Sequence, residues 1–241
     1  MPDSSSEPRH PVRAAIGWLV FLALMAATIF IGWRVWFYYD KIRRGEIVHL
    51  PQFTERFTAA APNGAGLPLV DRAAIETADD PSFGPADAKL TIVEFADFEC
   101  PYSRASAPTV RSLMAKYGDR VRFIYRDFPL STIHARAETA AVASECADAQ
   151  GKFWAYHDRL YGSTALGYGD LVRYAAEAGL DKAAFEKCLA ENRYKDEVVA
   201  DLTQGIDAGV RGTPTFFLNG QILEGDVPRD VFEQLIEKLL Q

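Results

Sequence analysis

The sequence has few of the residues that build metal centres and disulfide frameworks. Its 241 residues include only three cysteines and four histidines, and neither type shows the spacing of a metal-ligand set. An odd number of cysteines suggests one disulfide and one free thiol if the protein works in an oxidising compartment. We therefore expect no metal and no cofactor.

Positive charge is also in short supply. The 26 lysines and arginines are outnumbered by 33 aspartates and glutamates, which gives a formal net charge of −7. A nucleic-acid surface normally carries a basic patch, and no basic cluster with interleaved aromatics occurs outside the flanks of one apolar segment. We therefore expect no nucleic-acid partner. The sequence shows no internal repeat, and its composition is that of a globular protein.

Long hydrophobic runs are absent with one exception, residues 14–33, which contain no charged side chain. Twenty residues in a helix span about 30 Å, the thickness of a hydrocarbon core. The run is long for a signal peptide and no convincing cleavage site follows it. A buried helix is the other alternative. We expect an uncleaved membrane anchor over residues 14–39, after a cytoplasmic tail of residues 1–13.

The rest of the chain divides into a linker and a regular domain. Residues 40–86 are dense in turn-forming residues and predict a linker on the surface. From residue 87 to 241, hydrophobic periodicity predicts β-α-β, then a helical block inserted at about 131–208, then β-β-α. The predicted elements are 90–96, 101–117, 121–126, 135–150, 152–161, 168–178, 181–191, 194–208, 214–218, 221–223 and 228–240.

Cys100 lies between the first predicted strand and the first predicted helix. The free N–H groups and the dipole at a helix N-terminus favour an anion, here the thiolate, which is the nucleophilic form of cysteine. Pro101 suits the first helical turn because its missing N–H would be unpaired there. A buried structural cysteine is the alternative, but Cys-Pro-aromatic at a strand–helix junction favours a reactive thiol.

Residues 95–103 (FADFECPYS) resemble the active-site segment of the DsbA-like thioredoxin-fold oxidoreductases, which carry Cys-Pro-Tyr-Cys. Segments 128–130, 151–161 and 209–220 are similar to the same family in the same order. The resemblance runs from about residue 80 to the C-terminus. It implies an α/β thioredoxin fold with an inserted helical domain, thiol-disulfide exchange at Cys100, and substrate contacts at Pro101 and Tyr102.

The resemblance also implies roles for residues outside this motif. Thr213 and Pro214 match the cis-proline loop that faces the active-site cysteine and binds substrate. An ordinary trans peptide bond is the alternative there. Glu94 matches an acid that helps to move protons at the buried thiol. The alternative is that its carboxylate reaches water at the end of the strand, because carboxylates are rarely fully buried.

The sequence departs from the family at Ser103, where dithiol enzymes have their resolving cysteine. Thiol-disulfide exchange proceeds through a mixed disulfide, and a serine hydroxyl cannot release it. We expect monothiol chemistry on exported protein thiols or disulfides, with release by an external thiol, a substrate thiol or a distant cysteine. The expected redox partner is an external thiol or a membrane protein. A degenerate binding protein and an engineered trapping variant are the alternatives.

The other two cysteines, Cys146 and Cys188, resemble a pair found in many relatives and are expected to form a structural disulfide. Two buried free thiols are the alternative. Such disulfides persist outside the cytoplasm. We therefore expect a single-pass protein of the cell membrane with its C-terminal domain extracytoplasmic, although the count of basic residues around the anchor favours the opposite orientation.

Three functions are compatible with the sequence. The first is a membrane-anchored thiol-disulfide oxidoreductase or isomerase that acts on exported proteins. The second is a non-catalytic module that binds extended peptides through the cis-proline loop. The third is a glutathione-dependent monothiol reductase, since Cys-Pro-Tyr-Ser also resembles some glutaredoxin motifs. The long helical insertion argues against the third, because glutaredoxins lack it.

Overall fold

The computed structural model describes residues 69–241 without a break, together with residues 18, 21, 24–26, 28, 30–34 and 36. The chain divides into two compact units, Met1–Arg56 and Phe57–Gln241. The described residues of the first unit are helical and exposed. No helix within the described residues is both long enough and apolar enough to span a membrane. The predicted tail, most of the predicted anchor and residues 40–68 of the predicted linker lie outside the described residues.

From residue 90 onwards the second unit follows the predicted order of elements, with boundaries that differ by at most two residues. Its strands are β1 (Ser82–Phe83), β2 (Leu90–Ala96), β3 (Val121–Asp127), β4 (Thr215–Leu218) and β5 (Gln221–Glu224). Its helices are α1 (Pro101–Tyr117), α2 (Ala137–Asp148), α3 (Phe153–Tyr161), α4 (Tyr168–Glu177), α5 (Lys182–Ala190), α6 (Lys195–Asp207) and α7 (Arg229–Leu240).

The strands form one mixed sheet in the order β1-β3-β2-β4-β5. Strands β2 and β3 are parallel, whereas β1, β4 and β5 are antiparallel to their neighbours. Strand β2 is central and every one of its residues is buried, as expected for an apolar, β-branched run covered on both faces. The sheet and its helices confirm the predicted α/β thioredoxin fold.

Side chains of β2 alternate between two cores because successive residues of a strand point to opposite faces. Ile92 packs with Phe232 of α7 in one core. Val93 and Phe95 pack with Phe217 in the core on the other face. Strand β2 therefore has a helix-covered face on each side, and the loop after its last residue leads directly into the site described below.

The inserted helices α2 to α6 build a third core around the alanine-rich α2. Ala140, Ala143 and Ala147 are fully buried there, and their small side chains let neighbouring helices approach closely. Cys146 of α2 and Cys188 of α5 form a disulfide in this core, at a sequence separation of 42. The bond fastens two helices of the insertion to each other.

The predicted linker ends earlier than the sequence indicates, because residues 69–86 pack on the domain as a strap. The N–H of Val70 donates to the carbonyl of Gly220, 3.0 Å away. Ile75, also in the strap, is fully buried against the sheet. Strand β1, also in the strap, pairs with β3. Gly220 has φ +86°, and a Cβ there would collide with the carbonyl of Val70. The strap has no sustained period, which is why the sequence pattern predicts a linker.

Candidate active site

The thiol of Cys100 lies at the point where the sequence predicts it, directly before α1. Cys100 is the N-cap of that helix, with Pro101 at the first helical position, and only 3% of the residue is exposed. Its Sγ donates a hydrogen bond to the carbonyl oxygen of Thr213, 3.3 Å away. The peptide bond between Thr213 and Pro214 is cis. The fold thus brings together residues that are more than one hundred positions apart.

Ser103 lies one turn into α1 and is fully buried. Its hydroxyl oxygen accepts a hydrogen bond from the N–H of Asp97, 3.4 Å away, so the side chain supports the loop before the helix. Pro101 and Tyr102 face outwards at the same helix end, and Tyr102 is 65% exposed. A partner that approaches Cys100 therefore meets an aromatic ring beside the thiol.

Glu94 is buried in the middle of β2 rather than reaching water. Burial raises the pKa of its carboxyl to about 8, and its Oε1 has no hydrogen-bond partner within the described part of the chain. Near it, the hydroxyl groups of Tyr125 and Tyr161 lie 3.0 Å apart, and burial also raises the pKa of both tyrosines. Glu94 is therefore mostly a neutral acid at pH 7.

The loop between β2 and α1 is held by a buried carboxylate that the sequence pattern did not single out. Asp97 accepts hydrogen bonds from the N–H of Glu99 at 2.7 Å and from the N–H of Leu130 at 2.9 Å. Its Oδ2 also lies 2.7 Å from Nδ1 of His134. The N–H of Cys100 donates to the backbone carbonyl of Asp97, at 3.1 Å. Asp97 therefore links the active-site loop to the chain that follows β3.

Arg104 fastens the same loop to the helical insertion. Its guanidinium donates to the carbonyl of Phe98 at 3.2 Å and to the carbonyl of Tyr161 at 2.9 Å. It also donates to the carbonyls of Leu160 and Ser163. A cation at a helix C-terminus is favourable because the last carbonyl groups carry partial negative charge. The sequence does not predict this contact either, because the acceptors are backbone carbonyl groups, which every residue carries.

Within residues 69–241 and the described N-terminal positions, no group of histidine, cysteine and acidic side chains has an arrangement that could hold a metal ion. Cys100 is the free cysteine of the described chain. Its contact with the carbonyl of Thr213 joins the start of α1 to the cis-proline loop.

Solved structures of similar fold include a thioredoxin-like oxidoreductase and a thiol-disulfide exchange protein. A thioredoxin-like oxidoreductase from Silicibacter pomeroyi is 25% identical, with a TM-score of 0.63 over 70% of this chain and 97% of that chain. The thiol-disulfide exchange protein alpha-DsbA2 from Wolbachia pipientis is 19% identical, with a TM-score of 0.64 over 70% of this chain and 91% of that chain. The first likeness supports an oxidoreductase, and the second supports the fold.

Curated relatives carry a similar domain within much longer proteins. The Na(+)/H(+) antiporter NhaA 3 of Salinispora tropica is 42% identical over 139 residues, which are 57% of this chain and 21% of that protein. The Na(+)/H(+) antiporter NhaA of Herminiimonas arsenicoxydans is 38% identical over 162 residues, 67% of this chain and 26% of that protein. This chain thus spans about a fifth to a quarter of these relatives.

Residues 76–238, which include the whole sheet, helices α1 to α6 and all but the last two residues of α7, match the thioredoxin family. The match begins within the strap and agrees with its packing on the sheet. With Cys100, the cis-proline loop and the mixed sheet in the arrangement described above, the chain belongs to the thioredoxin family.

Proposed function

We propose that this protein is a membrane-anchored thiol-disulfide oxidoreductase or isomerase that acts on exported proteins by monothiol chemistry through Cys100. The observation that carries the proposal is the contact of the Cys100 thiol with the carbonyl of Thr213, beside the cis peptide bond. This contact puts a nucleophile at a helix N-terminus next to backbone that an extended substrate can approach.

The first chemical step is attack by the Cys100 thiolate on a substrate disulfide. A bond forms between Sγ and one substrate sulfur, the substrate disulfide breaks, and the other sulfur leaves as a thiolate that takes up a proton. Position at a helix N-terminus favours the thiolate. Tyr102, exposed beside the thiol, and the loop at Thr213 and Pro214 are the surfaces we assign to the substrate.

The second step releases the substrate, and it depends on the serine at position 103. The hydroxyl of Ser103 cannot attack a disulfide, so a second thiol must come from the substrate or from a small molecule. Attack by a substrate thiol forms a new substrate disulfide and returns Cys100 as a thiolate, which is isomerisation. Attack by an external thiol at the Cys100 sulfur expels the substrate as a thiol, which is reduction.

Glu94 is the residue we assign to proton exchange at the buried thiol. Its pKa, raised to about 8 by burial, lets the carboxyl give up and recover a proton near neutral pH, as acid–base groups require.

We propose a location at the cell membrane, anchored through residues 14–39, with the thioredoxin domain outside the cytoplasm. The charge-free run at 14–33 supports the anchor. The Cys146–Cys188 disulfide supports an oxidising compartment, where such bonds persist. The antiporter names of the curated relatives are compatible with a domain of this kind held at a membrane.

Trapping of mixed disulfides tests this function. Wild-type protein and Cys100→Ser are incubated with a disulfide-bonded protein substrate, and adducts are quantified on non-reducing gels. We expect reductant-sensitive adducts with the wild type and none with Cys100→Ser. Substrate binding without any adduct in the wild type would instead favour the non-catalytic peptide-binding module.

A further inference from the structure

His134 is held in a single orientation by a buried carboxylate. Its Nδ1 lies 2.7 Å from Oδ2 of Asp97, and Asp97 is 2% exposed and also bound by the N–H groups of Glu99 and Leu130. A carboxylate that accepts from Nδ1 keeps the proton on that nitrogen and leaves Nε2 with a free lone pair. The pair therefore has the form of a base and the group that orients it.

The imidazole lies beside the active-site loop and reaches solvent. Asp97, which holds it, is also the residue whose carbonyl accepts from the N–H of Cys100 at 3.1 Å. The His134 side chain is 16% exposed, and its Nε2 makes no hydrogen bond to any residue of the range 69–241. The other charged groups at this junction are Glu99, which accepts from the N–H of Arg136 at 2.7 Å, and Arg136 itself.

The resting thiol does not need this base. Sγ of Cys100 donates to the carbonyl of Thr213, so its proton is already paired at the cis-proline loop. What a monothiol site lacks is a way to ionise the second thiol. An unperturbed thiol has a pKa of about 8.5 and is only a few per cent thiolate at pH 7.

We propose that His134, oriented by Asp97, is the general base for the small external thiol that resolves the mixed disulfide on Cys100. Nε2 takes the proton of the entering thiol as its sulfur attacks the Cys100 sulfur. A new disulfide forms between them, the bond to the substrate breaks, and the substrate thiolate leaves and takes the proton from the imidazolium. This inference rests on the proposed function, because it requires a mixed disulfide on Cys100.

The test compares two resolving thiols on the same adduct. Full-length protein carrying a mixed disulfide between Cys100 and glutathione is mixed at pH 8.5 with a large excess of 2-mercaptoethanol, which is mostly protonated, or of trifluoroethanethiol, which is mostly ionised. Loss of the adduct is followed by mass spectrometry. The variants are His134→Asn, which keeps an N–H donor for Asp97, and His134→Gln. Glu99→Gln is the matched control, since it changes the neighbouring hydrogen bond between the Glu99 carboxylate and the N–H of Arg136.

We expect both His134 variants to slow release by 2-mercaptoethanol at least about tenfold, the low side of general-base effects. Release by trifluoroethanethiol should change less than twofold, because most of this thiol has no proton to lose, and Glu99→Gln should not distinguish the thiols. The result is read in whichever His134 variant is folded. If that variant slows release equally with both thiols, or does not slow it at all, the inference is overturned and the proposed function stays intact. Failure to form the adduct on wild-type Cys100 would contradict both.

Discussion

Glu94 on β2 and Tyr125 on β3 lie opposite each other in the parallel ladder at the centre of the sheet. Both side chains are buried, and burial raises the pKa of the Glu94 carboxyl to about 8. An unfolded chain exposes this carboxyl to water, where its pKa is near the ordinary value of about 4.3. Folding therefore stabilises the neutral form of Glu94, and its ionisation opposes folding.

Glu94→Gln tests this linkage. A raised pKa in the folded state means that wild-type stability falls as the pH rises from about 4.5 to about 8, by on the order of a few kcal/mol. Glutamine is neutral and similar in shape, so the variant should lose this part of the pH dependence and exceed the wild type at pH 9. Urea unfolding at pH 5, 7 and 9 measures it, with exposed Glu237→Gln as the control. Parallel stability curves for wild type and Glu94→Gln would exclude the linkage.

Arg126 joins the strap, the sheet and the insertion. It is 1% exposed, its Nε lies 3.3 Å from Oδ2 of Asp80 in the strap, and its guanidinium pairs with Asp201 of α6. Burial raises the pKa of Asp80 to about 7 and also raises that of Asp201, although Arg126 opposes both shifts.

Arg126→Met should therefore destabilise the domain in a pH-dependent way. Removing the cation leaves buried carboxylates unpaired, which costs about 3–5 kcal/mol at pH 8. At pH 5 the carboxyls can protonate, so the loss should be smaller. Urea unfolding at both values measures the difference, and Arg122→Met on the same strand, half-buried, is the matched control. An equal loss at pH 5 and pH 8 would show that Arg126 acts by packing and not by charge.

The Cys146–Cys188 disulfide should contribute most of its stabilisation through the unfolded chain. It closes a loop with a sequence separation of 42, which corresponds to about 4 kcal/mol in the chain-entropy model. Urea unfolding of the wild type with and without reductant should show this loss. The double variant Cys146→Ala/Cys188→Ala should be insensitive to reductant. A wild-type midpoint that reductant does not move would contradict a stabilising bond.

Much of the fold could be predicted because the decisive signals are local. The run 90–96 is mostly apolar and bounded by charged residues, and Pro101 marks the start of α1, so both elements begin and end where predicted. The sequence pattern does not predict the strap, because the contacts of the strap are scattered. They are a two-residue strand, one buried isoleucine at Ile75 and one buried acid at Asp80. No periodicity connects such contacts, and only the folded sheet shows that they share a surface.

The site was predictable in part for the same reason. Helix position and motif identify Cys100, and the family resemblance identifies Thr213 and Pro214, whose distance from the thiol no local pattern could give. The contacts of Asp97 with His134 and of Arg104 with the end of α3 were not predicted. Their partners lie 37 and 57 positions away, and many of the groups involved are backbone amides and carbonyls that every residue carries.

The lifetime of the mixed disulfide on Cys100 tests monothiol chemistry most directly. A peptide adduct on Cys100 is prepared with wild-type protein, with Ser103→Cys and with Ser103→Ala as the control for loss of the hydroxyl, and its decay is followed by mass spectrometry without added thiol. Ser103 is fully buried one turn from Cys100, so a cysteine there should release the peptide on the order of 10²-fold faster or more, through proximity. Wild type and Ser103→Ala should retain it. A wild-type adduct that decays as fast as that of Ser103→Cys would contradict monothiol chemistry at this site.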